Sequence, residues 1–155
     1  MALAFEGANA DGSTDSFGIS ASNTAAASFF GRACLAVTTD GEQFVQPTGS
    51  AGVFLGVLQH SHAIEQDEVV AGAAGLPANH PGRVVRRGRV WVVAEVAITD
   101  ITAGVFYRHT NAGALPEALG RFRNDTTDAT EIPGARWVRT TAGAGQLTII
   151  EFNLP

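Results

Sequence analysis

Apolar residues crowd most densely between Val84 and Val96, where the chain reads Val-Val-Arg-Arg-Gly-Arg-Val-Trp-Val-Val-Ala-Glu-Val. So many β-branched and aromatic residues together predict a β-strand, the central one of the fold. Side chains alternate across a strand, so Arg89, Trp91, Val93 and Glu95 share one face and Val90, Val92, Ala94 and Val96 the other. The second face is wholly apolar and is expected in the core. The first is apolar in its middle and charged at its ends, so it is expected to be covered centrally by another layer or a partner and wet at its edges. Gly88 interrupts the arginine-rich entry, where a missing Cβ permits a bulge or a close backbone approach.

Shorter runs repeat the pattern on either side. Arg32 to Thr38 is strand-like and ends at Thr39-Asp40-Gly41-Glu42, whose Asp-Gly pair predicts a hairpin turn into Gln43–Gln46, closed by Pro47. Val53–Leu58 is an apolar run of strand length. Ile64 to Ala71 mixes carboxylates with Val69 and Val70, and residues 72–81, with Gly-Leu-Pro and His-Pro-Gly, read as loop. Beyond the central strand, Val105–Arg108, Arg121–Asn124, Ala135–Thr140 and Leu147–Leu154 are further strand candidates separated by turns; Leu115–Leu119 offers at most one helical turn. In Ala135–Thr140, alternation places Arg136, Val138 and Thr140 on one side and Trp137 and Arg139 on the other. Many short strands without a long amphipathic helix predict an all-β domain, a β-sandwich or barrel, with a jelly roll among the architectures that fit.

Residues 1–30 lack any sustained period. Ala, Ser, Gly, Asn, Asp and Thr dominate from Ala8 to Ser28, with isolated Phe5, Phe17, Phe29 and Phe30. Such a composition cannot order itself alone. A disordered tail competes with an extended arm held on the domain, a sister subunit or another protein, and the spaced phenylalanines favour the arm. The organisation read from the sequence is an N-terminal arm over 1–30 and an all-β domain over 31–155.

The 155 residues suffice for a single core without disulfides or metal. Charged residues are only 16% of the chain, and all ten basic residues are arginine. A surface so poor in charge suits a protein partly covered by neighbours, although a GC-rich genome also replaces lysine with arginine. The net charge of −5 argues against a protein whose task is to coat nucleic acid. Cys34, the single cysteine, stands among Ala33, Leu35 and Ala36 and reads as a buried hydrophobe. No secretory leader and no apolar run of membrane-spanning length is read, so no membrane partner is expected.

Candidate chemistry is sparse. His60 and His62 share a face of an extended segment, but a zinc site needs a third ligand that the spacing does not supply. There is no Gly-x-Ser-x-Gly, and Ala142–Gly145 lacks the lysine and helix of a phosphate-binding loop. The carboxylate pairs Asp67/Glu68 and Asp125/Asp128 sit in loop-like contexts and read as solvated faces. No catalytic residue, cofactor or metal is expected. The arginines remain: Arg83, Arg86, Arg87 and Arg89 cluster, and Arg121, Arg123, Arg136 and Arg139 lie on other elements. Internal ion pairs account for some and a subunit or partner interface for others, because arginine is enriched where bidentate bonds form across interfaces.

Arg86-Arg87-Gly88-Arg89-Val90-Trp91-Val92, preceded by Val53–Val57, resembles the head decoration, or structural cement, proteins of tailed bacteriophages. Leu119–Arg123, Ile132–Trp137 and the Leu-Thr-Ile-Ile-Glu-Phe-Asn-Leu end continue the likeness. It covers about Gly31 to Leu154. The resemblance implies an all-β subunit made in the host cytoplasm that binds the outside of the mature icosahedral head, commonly as trimers at local three-fold positions. It would clamp neighbouring major capsid subunits, with no nucleic-acid partner. Interface candidates are Phe5, Phe17, Phe29 and Phe30 of the arm, Arg86, Arg87, Arg89 and Trp91 of the central strand, and Arg121 and Arg123. Trp91 and Trp137 are either core residues or subunit contacts. The alternatives are a tail- or fibre-associated glycan-binding module, which needs exposed aromatics on a concave face, and a small hydrolase built on His60 and His62.

Overall fold

In the computed structural model the described residues are 6–8, 10, 17–23, 28–39, 41–60, 69–70, 73–114 and 117–154. They form thirteen strands and no helix. In chain order these are β1 (Phe17–Asn23), β2 (Ser28–Phe29), β3 (Ala33–Ala36), β4 (Gln43–Val45), β5 (Phe54–Leu58), β6 (Val69–Val70), β7 (Ala73–Leu76), β8 (Pro81–Val93), β9 (Phe106–Arg108), β10 (Phe122–Arg123), β11 (Ala129–Glu131), β12 (Arg136–Trp137) and β13 (Leu147–Asn153). The all-β expectation holds, and the architecture is a closed barrel with additional sheets.

The barrel closes because β8 is long enough to pair twice. The main sheet runs β1-β4-β3-β5-β8-β13-β12, and β1 also pairs with β8, so β1, β4, β3, β5 and the first half of β8 form a ring. Inside it Phe30, Cys34, Phe44, Leu58, Leu76 and Val84 pack with Ala21 and Leu55. The second half of β8 leaves the ring and pairs antiparallel with β13 from Arg87 to Val93. A second core fills the space between this extension, the outer wall of the barrel and the β10-β9-β11 sheet. It is built on Val85, Val90, Val92, Ala94, Tyr107, Phe122, Trp137, Ile150 and Phe152.

One irregularity lets a single strand serve both cores. Phe17 lies opposite Arg87 but Gly18 lies opposite Val85, so β8 carries one extra residue at Arg86. The insertion shifts the alternation by one, and Val85 and Val90, five residues apart, both face the outer core. Gly88, where the sequence predicts a bulge or close approach, stands two residues beyond the break with φ +118°.

The Asp-Gly turn is found where predicted: Gly41 adopts φ +73°, and β3 and β4 pair antiparallel across it. Five strands were not legible: β1, β2 and β7, together with the two-residue β6 and with β11, which follows a stretch read as a polar turn. β1 and β2 lie within residues 1–30, where Ile19 and Ala21 supply the only apolar alternation of β1. β7 falls in the stretch read as loop. Its small residues suit a close approach, since a Cβ on Gly75 would come 2.8 Å from the Ser28 carbonyl oxygen of β2. Ile64 to Glu68 lie outside the described residues.

Cys34 is fully buried inside the barrel, and burial pushes its thiol well above the usual range. In native protein at about pH 8 it is expected to be inert to DTNB and to react at once in denaturant. Rapid stoichiometric reaction without denaturant would show that the barrel opens.

Candidate functional site: an arginine-framed sheet face

Beyond the barrel, the face of β8, β13 and β12 that turns away from the outer core is set by register. Arg89 lies opposite Glu151, which lies opposite Arg136; Trp91 lies opposite Ile149; Arg87 lies opposite Asn153. Because Val90, Ile150 and Trp137 point into the core, Arg87, Arg89, Trp91, Ile149, Glu151, Arg136 and Val138 share the other side.

Glu151 accepts from Arg89 Nε at 2.6 Å and from Arg136 at 2.7 Å. The Arg89 hydrogen bond first, then Arg136, holds its carboxyl below the usual range. Its contribution to stability is therefore present above the ordinary carboxylate pKa and lost as pH falls through the lowered one. Both arginines remain substantially open, with side-chain exposures of 42% and 65%, so the pairs contribute modestly. Trp91 is half-buried, with the Arg139 guanidinium 5.5 Å from its ring centroid. Arg139 was expected on the Trp137 side. Regular β12 ends at Trp137, so alternation no longer governs Arg139, and it reaches over Trp91.

Residues 6–8 and 10 flank this face on the free side of β8. Gly7 N donates to the Trp91 carbonyl, Trp91 N to that of Ala8, and Ala10 N to that of Arg89. Glu6 is drawn in beside Arg121, 3.5 Å away. Burial raises its pKa against the opposing pull of Arg121 and Arg32.

The remaining candidates scatter. Phe29 is half-buried beneath the Arg32 guanidinium, 4.1 Å from its ring centroid. Phe30 is buried in the barrel and packs on the His60 ring. Phe17 takes part in β1 opposite Arg87, and Phe5 lies outside the described residues. Arg86 is the bulge residue, half-buried, while Arg87 is exposed. Trp137 is core, 1% exposed, its indole donating to the Gly104 carbonyl at 3.1 Å.

Arg123 belongs to an internal ion cluster centred on Glu95, expected wet at the strand end but only 2% exposed. Arg108 Nε donates to both Glu95 oxygens at 2.8 and 3.0 Å, Ala118 N at 2.9 Å and Arg123 at 3.4 Å. Arg123 also pairs with Asp125, whose pKa that hydrogen bond lowers. This cluster is an internal cross-link: it ties the end of the central strand to β9, β10 and the 117–120 turn.

His60 lines a cavity of about 380 Å³ with Phe30, Arg83 and Leu76, while His62 is not among the described residues. A larger groove of about 620 Å³ runs between residues 101–104 and β12. Its one aromatic is the buried Trp137, which offers no open ring face for a sugar to stack on.

Of the ten arginines, Arg108 and Arg123 are buried and Arg32 and Arg121 gather about Glu6. The other six all lie on β8 or at β12, and these include every exposed one: Arg83, Arg87, Arg136 and Arg139. Sequence reasoning grouped Arg86, Arg87 and Arg89 with Trp91 correctly on one strand. It missed that Arg136 and Arg139 join them, because that depends on β12 pairing with β13 and β13 with β8, which no local pattern encodes.

Comparison with known proteins matches residues 1–153 to the family described as structural cement protein (E217 gp24/Pam3 gp6). Among solved structures, a chain of the capsid of Myoviridae phage XM1 shares the fold with a TM-score of 0.68 at 13% identity, over 96% of this chain and 89% of that one. Among curated proteins there is no significant match. An all-β chain matched end to end by that family model belongs to the phage structural cement protein family, and is thus a structural component of the virion that associates with the capsid.

Proposed function

We propose that this protein binds the outer surface of an icosahedral phage head and cements neighbouring major capsid protein subunits, as a homotrimer and without catalysis. The observation that carries the reading is the family match over residues 1–153. The physics agrees with it. A ligand that binds the assembled lattice better than separated subunits stabilises the assembled state, and repeated copies multiply modest contacts by avidity. A closed barrel supplies a stiff body for this, with its covalently continuous strand β8 running out to an open, arginine-framed face.

Residues 1–30 serve as the arm in this reading, fixed at one end by β1, which is built into the barrel wall, and along β8 by the bonds of Gly7, Ala8 and Ala10. Phe5, Phe17, Phe29, Arg86, Arg87, Arg89, Trp91 and Arg121 are the candidate contacts, with buried Phe30 and Arg123 supporting them from within. The test is co-sedimentation with undecorated heads of the phage that encodes the protein, before and after expansion. Saturable binding to expanded heads alone is expected, with cross-linked trimers on them; binding to neither form overturns the proposal. Deleting residues 2–15, which stops short of the barrel strand β1, is expected to leave the domain folded and to weaken head binding. Undiminished binding removes the arm from the proposal.

A further inference from the structure

Resting on the head-binding reading, we propose that the β8–β13–β12 face is the docking surface and that its partner is a carboxylate-rich patch on the shell protein, held by salt-sensitive arginine contacts around Trp91. Four arginines (Arg87, Arg89, Arg136 and Arg139) share this face with half-buried Trp91 and Val138 over a buried Ile149, and the carboxylate among its described residues is Glu151. The molecule as a whole carries −5. Exposed carboxylates such as Glu42 and Asp100 lie on other elements, and Glu131 borders the face only at its edge, in the groove it lines with Arg136 and Val138. A half-buried indole under the Arg139 guanidinium, with Arg89 and Arg136 in the neighbouring row, has the composition of an interface centre, where tryptophan and arginine dominate binding energy.

Charge complementarity selects the partner. An acidic protein patch meets the positive face within a Debye length of about 8–10 Å, where the net negative charge elsewhere is screened. A nucleic-acid polyanion extends past the face onto the acidic remainder of the molecule.

The experiment measures binding to expanded heads between about 50 and about 300 mM salt for the wild type, R87E/R139E and R83E. Arg83 is exposed on the same strand but lies in the barrel wall, opposite Ser20 of β1 and outside the Arg87–Val93 stretch that pairs with β13, so R83E changes net charge without altering the face. Thermal unfolding first confirms that each variant folds. Wild-type affinity is expected to fall with salt. R87E/R139E should bind at least about tenfold more weakly at low salt, the gap narrowing at high salt, while R83E stays within about twofold of wild type.

Equal binding by R87E/R139E and wild type overturns this inference while the cement role stands. Failure of wild type itself to bind heads overturns both. Two further measurements decide the other occupants. Binding of a single-stranded oligonucleotide of about 20 nucleotides that R87E/R139E abolishes would assign the face to nucleic acid. Salt-sensitive self-association in solution that the same variant abolishes would assign it to a second copy of this chain. Either result overturns the acidic-shell assignment.

Discussion

Replacing Glu95 with alanine is expected to cost the fold about 3–5 kcal/mol, a fall in Tm of roughly 10 °C for a domain of this size. Glu151→Ala should cost less than about 1 kcal/mol. Both carboxylates bridge two arginines, and they differ in solvent. The Glu95 side chain is fully buried, and its partners Arg108 and Arg123 have side chains only 3% and 7% exposed. Removing it takes away the one fully buried carboxylate that Arg108 and Arg123 share, leaving them the partly exposed Asp125, Glu117 and Asp128, and strands the Ala118 N–H that the same carboxylate accepts. Glu151 holds its arginines at the surface, where water replaces the lost partner. Urea unfolding of E95A, E95Q and E151A checks the contrast. E95Q keeps the shape and an acceptor for Ala118 but not the charge, so it should fall between the other two. If E95A and E151A have the same midpoint, the buried cluster is not the cross-link described.

Glu95 also marks where the sequence ceases to be readable. Its position on the Arg89–Trp91–Val93 face follows from alternation, and so does the apolar face of Val90, Val92, Ala94 and Val96, of which the first three are completely buried and Val96 partly. The short strands flanked by Asp-Gly, Pro and Gly were legible for the same reason: period and punctuation are local. Burial of a carboxylate is not local. It depends on Arg108 and Arg123 arriving from strands 13 and 28 residues downstream. The interface candidates divide in the same way. Arg87, Arg89 and Trp91 share one strand face and could be grouped on sight, whereas Arg136, Arg139 and Glu151 join them only through tertiary pairing. β1 was hidden because Phe-Gly-Ile-Ser-Ala-Ser-Asn has weak strand propensity and is held by pairing with β8 and β4.

The largest single-residue loss is expected at Gly56, where alanine should abolish the closed barrel, at a cost above about 4 kcal/mol. Gly56 sits in β5 at φ +155°, and a Cβ there would stand 2.2 Å from the Val85 carbonyl oxygen and 2.7 Å from Val84 Cγ1. The nearest atom is backbone of the neighbouring strand, so no rotamer change relieves the clash. β8 must move away, and the β5–β8 pairing of Val57 with Val85 and Leu58 with Val84 is one of the seams that close the ring. Gly49→Ala is the control, because Gly49 also has positive φ, +132°, but nothing lies within 4 Å of its Cβ position. It carries conformational strain alone, about 1 kcal/mol. Cys34 reports the difference without requiring that G56A fold to completion. It pairs with Gly56 across β3 and β5, so an opened seam exposes its thiol. G56A should recover poorly as folded protein, and what is recovered should react with DTNB in native buffer while G49A and wild type do not. A G56A protein as stable as G49A, with its thiol still protected, would show that β8 can yield at Val85 without opening the barrel, and that the close approach at Gly56 is not what fixes the ring.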